Sequence, residues 1–455
     1  MISTPRDVAV PSGTVEPAEA LGRETLSKVA WRLLPFLLLL YIIAWIDRVN
    51  VGIAALTMNA DIGLTNTSYS LGATLFFVAY AICEVPSNLI LARVGARIWI
   101  ARIMVTWGIL SVAMLFVRGP VSFGALRFLL GAAEAGFLPG IIYYLGHWFP
   151  SRQRARAVSW FMLGIPLSGV IGNPLGGAIL ELNGWLGLAG WQWLFLIEGV
   201  PAVLLGFVVL GFLTEKPEQA HWLAPEQRDW LARTMRAEQQ ATEQRHRVDL
   251  LGALFHPTVL VLCVILFACQ LCSYGLQLWI PQIVRSMTDL ANWQIGLVSA
   301  IPYAAAAVGM VAIGASSDRR GERLMHLAVP SAVAGIAFIV GSGFLMAPVI
   351  AMFALSIAAI GDIGTRGPFW SLPPRFLAGS AAAGGIALIN AWASVGGFVG
   401  PNAVAVLRNL TGGFEGGLIF FGVLMLVAAG GTLLLRGARG LEEPEPTGAA
   451  QTDAP

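Results

Sequence analysis

Among the charged residues inside the long apolar stretches of this chain, four combine bases with acids. They are the neighbours Asp47 and Arg48, and the pair Arg127 and Glu134. A charged side chain in lipid is costly and is by default retained for function. The residue types narrow what that function could be. An arginine guanidinium is a planar, always charged fork that holds a carboxylate by two parallel hydrogen bonds. A carboxyl in a low-dielectric site gains or loses its proton according to whether an arginine faces it, so moving the arginine is a proton switch. Asp47 and Arg48 point about 100° apart on a helix and need not pair with each other. Arg127 and Glu134 are nearly two turns apart, on one face, separated by about 10 Å along the axis. Fully ionised, the four charges cancel. The competing reading is a static ion network that only locks helix packing.

The elements that must position these residues are membrane helices. The chain has 455 residues, 56% of them hydrophobic and 12% charged. A soluble domain carries roughly twice that charged share. Twelve apolar stretches are long enough to span a bilayer as helices. They run roughly over 31–56, 71–92, 98–117, 121–148, 155–182, 191–213, 256–284, 293–316, 324–345, 347–365, 382–407 and 414–435. The expected fold is an all-α polytopic membrane protein with two six-helix, pseudo-symmetric lobes. The expected divisions are a disordered tail over 1–28, a lobe over 29–213, a cytoplasmic linker over 214–255, a lobe over 256–436 and a second tail over 437–455. Within the linker, 225–247 has helical composition and could lie along the membrane surface.

Orientation follows from the basic residues. Of the 28 Lys and Arg residues, only Arg118, Arg285 and Arg408 fall in odd-numbered loops, and Arg48 and Arg127 fall in spans. All others lie on the side of the termini, which this rule makes cytoplasmic. The second half then has no Lys or Arg within its spans. Its polar groups there are neutral: Gln270, Ser273, Tyr274 and Gln277 at helical spacing, and Asn390 and Ser394 four apart. Buried amides in lipid call for a cavity or a partner helix. Asp362 is expected at the cytoplasmic mouth.

Several classes are excluded. Cys83, Cys263, Cys269 and Cys272 lie in apolar spans without metal-ligand spacing. There is no nucleophile triad and no phosphate-cradling glycine loop, so no enzyme, metal site or cofactor is expected. The scattered basic residues give no nucleic-acid surface. No removable signal peptide is read at the N-terminus. Arginine far outnumbers lysine, as in GC-rich bacterial genes, which suggests a bacterial inner membrane.

The halves echo each other. Ala92-Arg93-Val94-Gly95-Ala96-Arg97 follows the second span, and Gly314-Ala315-Ser316-Ser317-Asp318-Arg319-Arg320-Gly321-Glu322-Arg323 follows the eighth. Duplicated halves around a central site are a transporter architecture. The later turn matches the loop signature of the major facilitator superfamily, Gly-x-x-x-Asp-Arg-x-Gly-x-Arg, at every fixed position. The earlier copy has Ala92 where the acid is expected. The stretches WIDRVN, FFVAYAICEVPSN, GARIWIARIMVTWG, RFLLGAAEAGFLPG, WFPSRQRARA, GPFWSLPPRF and GGIALINAWASVGGFVGP together resemble one branch, the anion:cation symporter family.

That resemblance implies a proton-coupled importer of a small organic anion: a sugar acid, a dicarboxylate such as tartrate, or an aromatic acid. It implies that Arg48 binds the substrate carboxylate, that Asp47 and Glu134 are the proton-coupling acids, and that Arg127, counted with the substrate-binding residues, organises them. Tyr80 resembles a family pocket tyrosine. Gln270, Tyr274, Asn390, Ser394 and Trp370 are expected to line the substrate site from the second half. Glu84, Arg93, Arg97, Asp318, Arg319 and Arg323 are expected to act in gating. Superfamily antiporters carry Gly-Pro-x-x-Gly-Gly in span five, whereas this chain has Pro174-Leu175-Gly176-Gly177, one residue short, which weighs against drug efflux. The expected partners are the anion, protons and the lipid bilayer, with a monomeric protein. An organic-anion exchanger or efflux antiporter is the alternative.

Overall fold

The structure, a computed structural model, describes residues 15–244, 256–373 and 379–437. Among them there are helices and no strands. In the first half these are α1 (Val15–Asp61), α2 (Asn66–Val94), α3 (Ala96–Ala113), α4 (Pro120–Glu134), α5 (Phe137–Trp148), α6 (Ser151–Met162), α7 (Gly164–Leu180) and α8 (Gly190–Phe212). A connecting helix, α9, covers Pro225–Gln244. The second half contains α10 (Pro257–Met287), α11 (Asn292–Arg320), α12 (Met325–Ser342), α13 (Pro348–Gly364), α14 (Arg366–Trp370), α15 (Gly379–Thr411) and α16 (Glu415–Leu434).

In lipid a helix is the segment shape that satisfies its own backbone, and local signals set the ends. Thr65 caps α2 through a reciprocal capping box with Ser68, and left-handed Gly321 ends α11. Eleven helical spans among the described residues are long and apolar enough to cross a membrane. The expected eleventh span, 382–407, lies within α15, which is 33 residues long. Leu204, Phe207, Val308 and Phe353 sit more than half exposed on the outer surface, where lipid would cover them. The twelve-span, two-lobe expectation therefore holds.

Four sequence expectations change in detail. The first helix begins at Val15, so residues 15–28 are helical rather than a tail, and Glu24 and Lys28 meet Gln227 of α9. Of the rest of that tail, 1–14 lies outside the described residues, as do 245–255 of the linker and 438–455. The fourth span is two helices, α4 and α5. Arg408 belongs to α15 rather than a loop. Arg366 lies inside the tenth span, because the chain continues from α13 through Thr365 directly into α14; it is 8% exposed. The second half therefore does hold an intramembrane arginine.

The lobes are joined at the end away from the termini. One apolar cluster there runs from Val51, Tyr69 and Phe123 into Leu278, Trp279 and Phe414 without a break. Tyr69 donates to the Leu278 carbonyl (2.9 Å), Asn402 to Thr74 (2.7 Å), Asn66 to Asn409 (2.9 Å) and Arg408 to Asn66 (3.1 Å). Backbones also touch: a Cβ on Gly177 of α7 would lie 2.6 Å from the Asn292 carbonyl, and one on Gly296 of α11 would lie 2.3 Å from that of Asn173. A second cluster, from Val29 to Leu231, fills the first lobe on the termini side.

Candidate substrate and proton site

The first span passes Arg48 through the middle of the molecule. Its guanidinium pairs with Glu134 and donates from its other terminal nitrogen to the Tyr274 hydroxyl of the opposite lobe at 3.2 Å. The rings of Trp45, Phe76 and Tyr80 lie 4.9, 5.2 and 5.3 Å from its central carbon, a partial aromatic cage. Trp45 stacks on Tyr274 at 5.7 Å with planes 4° apart, so this wall also crosses the lobe boundary. Arg48 is 11% exposed and Glu134 is 0% exposed. One Glu134 oxygen and the Arg48 Nε have no partner.

Glu134 reaches Arg48 because its helix stops there. It is the last residue of α4; Ala135 is extended and Gly136 is left-handed at φ 87°. Only glycine suits that turn, since a Cβ would lie 2.4 Å from the Ser87 hydroxyl oxygen. Ser87 donates to the freed Ala135 carbonyl (2.6 Å) and accepts from the Trp99 indole (2.9 Å). A broken transmembrane helix, with its backbone re-satisfied by a neighbour, places an acid at the lobe interface.

Asp47 turns the other way. It accepts from the Trp107 indole (2.7 Å), Ser111 (2.9 Å) and Asn50 (3.2 Å), all neutral donors. Asp47 and Glu134 do not share a contact. Arg127 forms no ion pair with either acid among the described residues. It donates to the Ala73 carbonyl (3.3 Å) and lies over Phe76 at 4.9 Å. Two turns of α4 hold it too far from Glu134 along the axis, and Arg48 takes that carboxylate instead. In this conformation it is Arg48, not Arg127, that holds the Glu134 carboxylate.

The remaining expected residues divide. Tyr80 and Tyr274 border Arg48. Asn390 donates to Glu84 of the other lobe at 3.3 Å, nearer the termini. Gln270 is half-buried one turn before Tyr274, beside Gly396. Ser394 spends its hydroxyl on the Asn390 carbonyl (3.2 Å), and Trp370 packs edge-on to Phe369 in the second-half core; neither joins the Arg48 site.

At the termini-side turns, Asp318 pairs with Arg323, which also donates to Ser317 (3.0 Å), while Arg319 lies in the last turn of α11. Glu322 accepts from the Met325 and His326 amides and from the His326 ring. Partial burial works against its charge, but those bonds outweigh it and hold its carboxyl below the ordinary range. In the first half Arg93 lies in the last turn of α2 and Arg97 in the first turn of α3. There Glu215 accepts from the Ala96 (2.6 Å) and Arg97 (2.9 Å) amides. An acid arriving from beyond α8 takes up the helix start that the loop itself leaves without one.

Sequence reasoning missed three groups. Trp107 and Ser111, one turn apart on α3, fix Asp47. Arg366 donates to Ser273 (2.8 Å) and to Asp362 (3.4 Å), and Ser273 also donates to Asp362. This replaces the expectation of Asp362 at the mouth with a buried cluster. Glu198 of α8 is buried; its signal was an acid inside the sixth span.

Residues 37–401 match the sequence profile of the Major Facilitator Superfamily. A putative tartrate transporter of Agrobacterium vitis is 48% identical over 417 residues, covering 91% of this chain and 95% of that protein. A quinolone resistance transporter of Acinetobacter baumannii is 41% identical, covering 89% of this chain and 93% of its own. The crystal structure of a bacterial homologue of the human lysosomal transporter Spinster, inward-facing and occupied, superposes with a TM-score of 0.70 at 18% identity, over 88% of this chain and 96% of that one.

Proposed function

The chain belongs to the Major Facilitator Superfamily, is a multi-pass membrane transporter rather than an enzyme, and on that premise we propose that it is a proton-coupled symporter. It imports a small organic anion across the bacterial inner membrane by alternating access, with both termini cytoplasmic. One observation carries this reading: a single guanidinium, Arg48, is shared between a carboxylate of its own lobe and a hydroxyl of the other.

The chemistry follows from that sharing. A proton on Glu134 removes its charge and frees the Arg48 fork. The anion's carboxylate then takes the fork in bidentate form, with Tyr274 and the aromatic cage closing around it. Loss of the anion returns Arg48 to Glu134, which releases the proton. Asp47, held by neutral donors beside Arg48, is the second proton-coupling acid. Electrical balance favours the scheme. Bringing one negative charge into a negative-inside cell costs about 2.3 kcal/mol per 100 mV, which one co-transported proton cancels. The far-end contacts describe a state closed to the outside. The tartrate relative supports a hydroxy-dicarboxylate among the candidate anions.

The quinolone resistance relative favours a second reading, efflux by antiport. Proteoliposomes carrying an internal pH dye separate the two. Symport predicts internal acidification on adding tartrate or a related organic acid, absent in Arg48→Ala and Glu134→Gln. Alkalinisation on adding a quinolone, with no response to organic acids, would establish antiport. Anion uptake that requires a preloaded counter-anion and moves no proton would establish exchange.

A further inference from the structure

Glu198 lies eight residues into α8 from its far-end start at Gly190, about 12 Å along the axis. It is 5% exposed, and neither carboxylate oxygen has a hydrogen-bond partner. The proposed cycle does not use it. Its electrostatic neighbours are Asp47 and Asn50. Asn50 is one turn beyond Asp47 on α1 toward the far end. Asn50 is 4% exposed; its amide nitrogen donates to Asp47, while its amide oxygen also lacks a partner. Helices α1, α3 and α7 pack on α8. Of these, α1 brings Asp47 as the one titratable group reaching Glu198 among the described residues; beside it α3 brings Gly108 and Val112 against Gly199.

Three buried acceptor oxygens in one place thus have no donor. Burying an acceptor unsatisfied is costly, and an unpaired buried carboxylate costs more. One hydrogen repairs most of this. A carboxylic acid at Glu198 carries no charge and supplies an O–H, and the Asn50 oxygen is the idle acceptor beside it. We propose that Glu198 is a further proton-binding site of this transporter, lying on the far-end side of Asp47 and coupled to it through Asn50. The bound proton adds one O–H bond at Glu198, and its loss restores the carboxylate; no other reactant is involved. This extends the symport reading, since the proton bound here is one of those that move with the anion.

The test uses the full chain in proteoliposomes with tartrate as the probe and the membrane potential clamped. The initial rate of internal acidification is divided by the initial rate of labelled tartrate uptake. Glu198→Gln is expected to lower this ratio by one proton per anion, and Glu198→Asp to restore it. An unchanged ratio in Glu198→Gln sinks the proposal and leaves symport standing. Absence of acidification in the unsubstituted protein sinks symport, and this site with it. Should Glu198→Gln fail to fold, labelling of the unsubstituted protein by a hydrophobic carbodiimide, which reacts with protonated carboxyls, decides. Modification of Glu198 at neutral pH that fades on alkalinisation supports the site; no modification at any pH overturns it.

Discussion

Among the described residues each lobe buries one ion pair at membrane depth, and the two are built differently. In the first lobe Arg48 comes from α1 and Glu134 from the end of α4, and the arginine also holds Tyr274 of the other lobe. In the second lobe Asp362 and Arg366 are one turn apart along a nearly continuous segment, joined by Ser273 of α10. A pair drawn from two helices and leaning on a third changes partners whenever those helices move or a carboxylate intrudes. A pair held within one turn stays closed through rigid-body motion of its lobe. The difference separates a moving part from a fixed one: the second pair fastens α13 to α10 at Ser273, next to Tyr274, and so steadies the wall that Arg48 reaches across to.

The largest expected effect tests the fixed part. Arg366→Met strands Asp362 as an uncompensated buried charge, and losing one partner of a buried pair costs roughly 3–5 kcal/mol. The unfolding temperature in detergent should drop sharply, and adding Asp362→Asn should recover much of it. Transport lost in Arg366→Met at unchanged stability would reverse the assignment and make this pair a working site.

Next comes the moving part. Arg48→Ala should cut the initial rate of labelled tartrate uptake by about 10- to 100-fold, the range expected from one hydrogen bond to a charged group at roughly 1.5–3 kcal/mol. Arg48→Lys should not restore it, because an ammonium lacks the fork that faces two partners at once. Uptake near normal in Arg48→Lys would show that a point charge suffices. Tyr274→Phe keeps the stacking on Trp45 and removes one hydroxyl. A loss of about 1 kcal/mol, several-fold in KM, is expected; an unchanged KM would remove Tyr274 from the anion site.

The same contrast explains what could be read from the sequence. Twelve spans, two halves and the presence of a charged Arg48 at membrane depth were legible, because apolar length and a charge within it are local signals. Arg366 was not, because Gly364, Thr365, Gly367 and Pro368 around it read as a loop, yet the backbone continues as helix. The contact of Glu134 with Arg48 was not legible for a related reason. The resemblance implied Arg127 as the organiser of Glu134, whereas the break at Ala135-Gly136, which no periodicity reports, turns Glu134 toward α1. Glu215 serves a helix start 119 residues away, a contact that only the folded chain creates.

The two termini-side turns give the smallest and finest test of how alike the halves are. Each starts its following helix on a glutamate, Glu215 for α3 and Glu322 for α12, but one comes from a distant segment and the other from the turn itself. An acid at a helix N-terminus contributes about 0.3–1 kcal/mol at an exposed site, so Glu215→Gln and Glu322→Gln should each lower stability by no more than that. For Glu322 the pH sign is fixed. Its folded carboxyl titrates below its ordinary value, so its contribution is complete above the ordinary carboxyl range and fades as acid brings the pH down through the depressed value. Thermal unfolding of the original chain and of Glu322→Gln should therefore differ at neutral pH and converge in acid. A difference that persists in acid would mean that the side chain acts through hydrogen-bond geometry alone, and the two turns would then be alike in shape without being alike in charge.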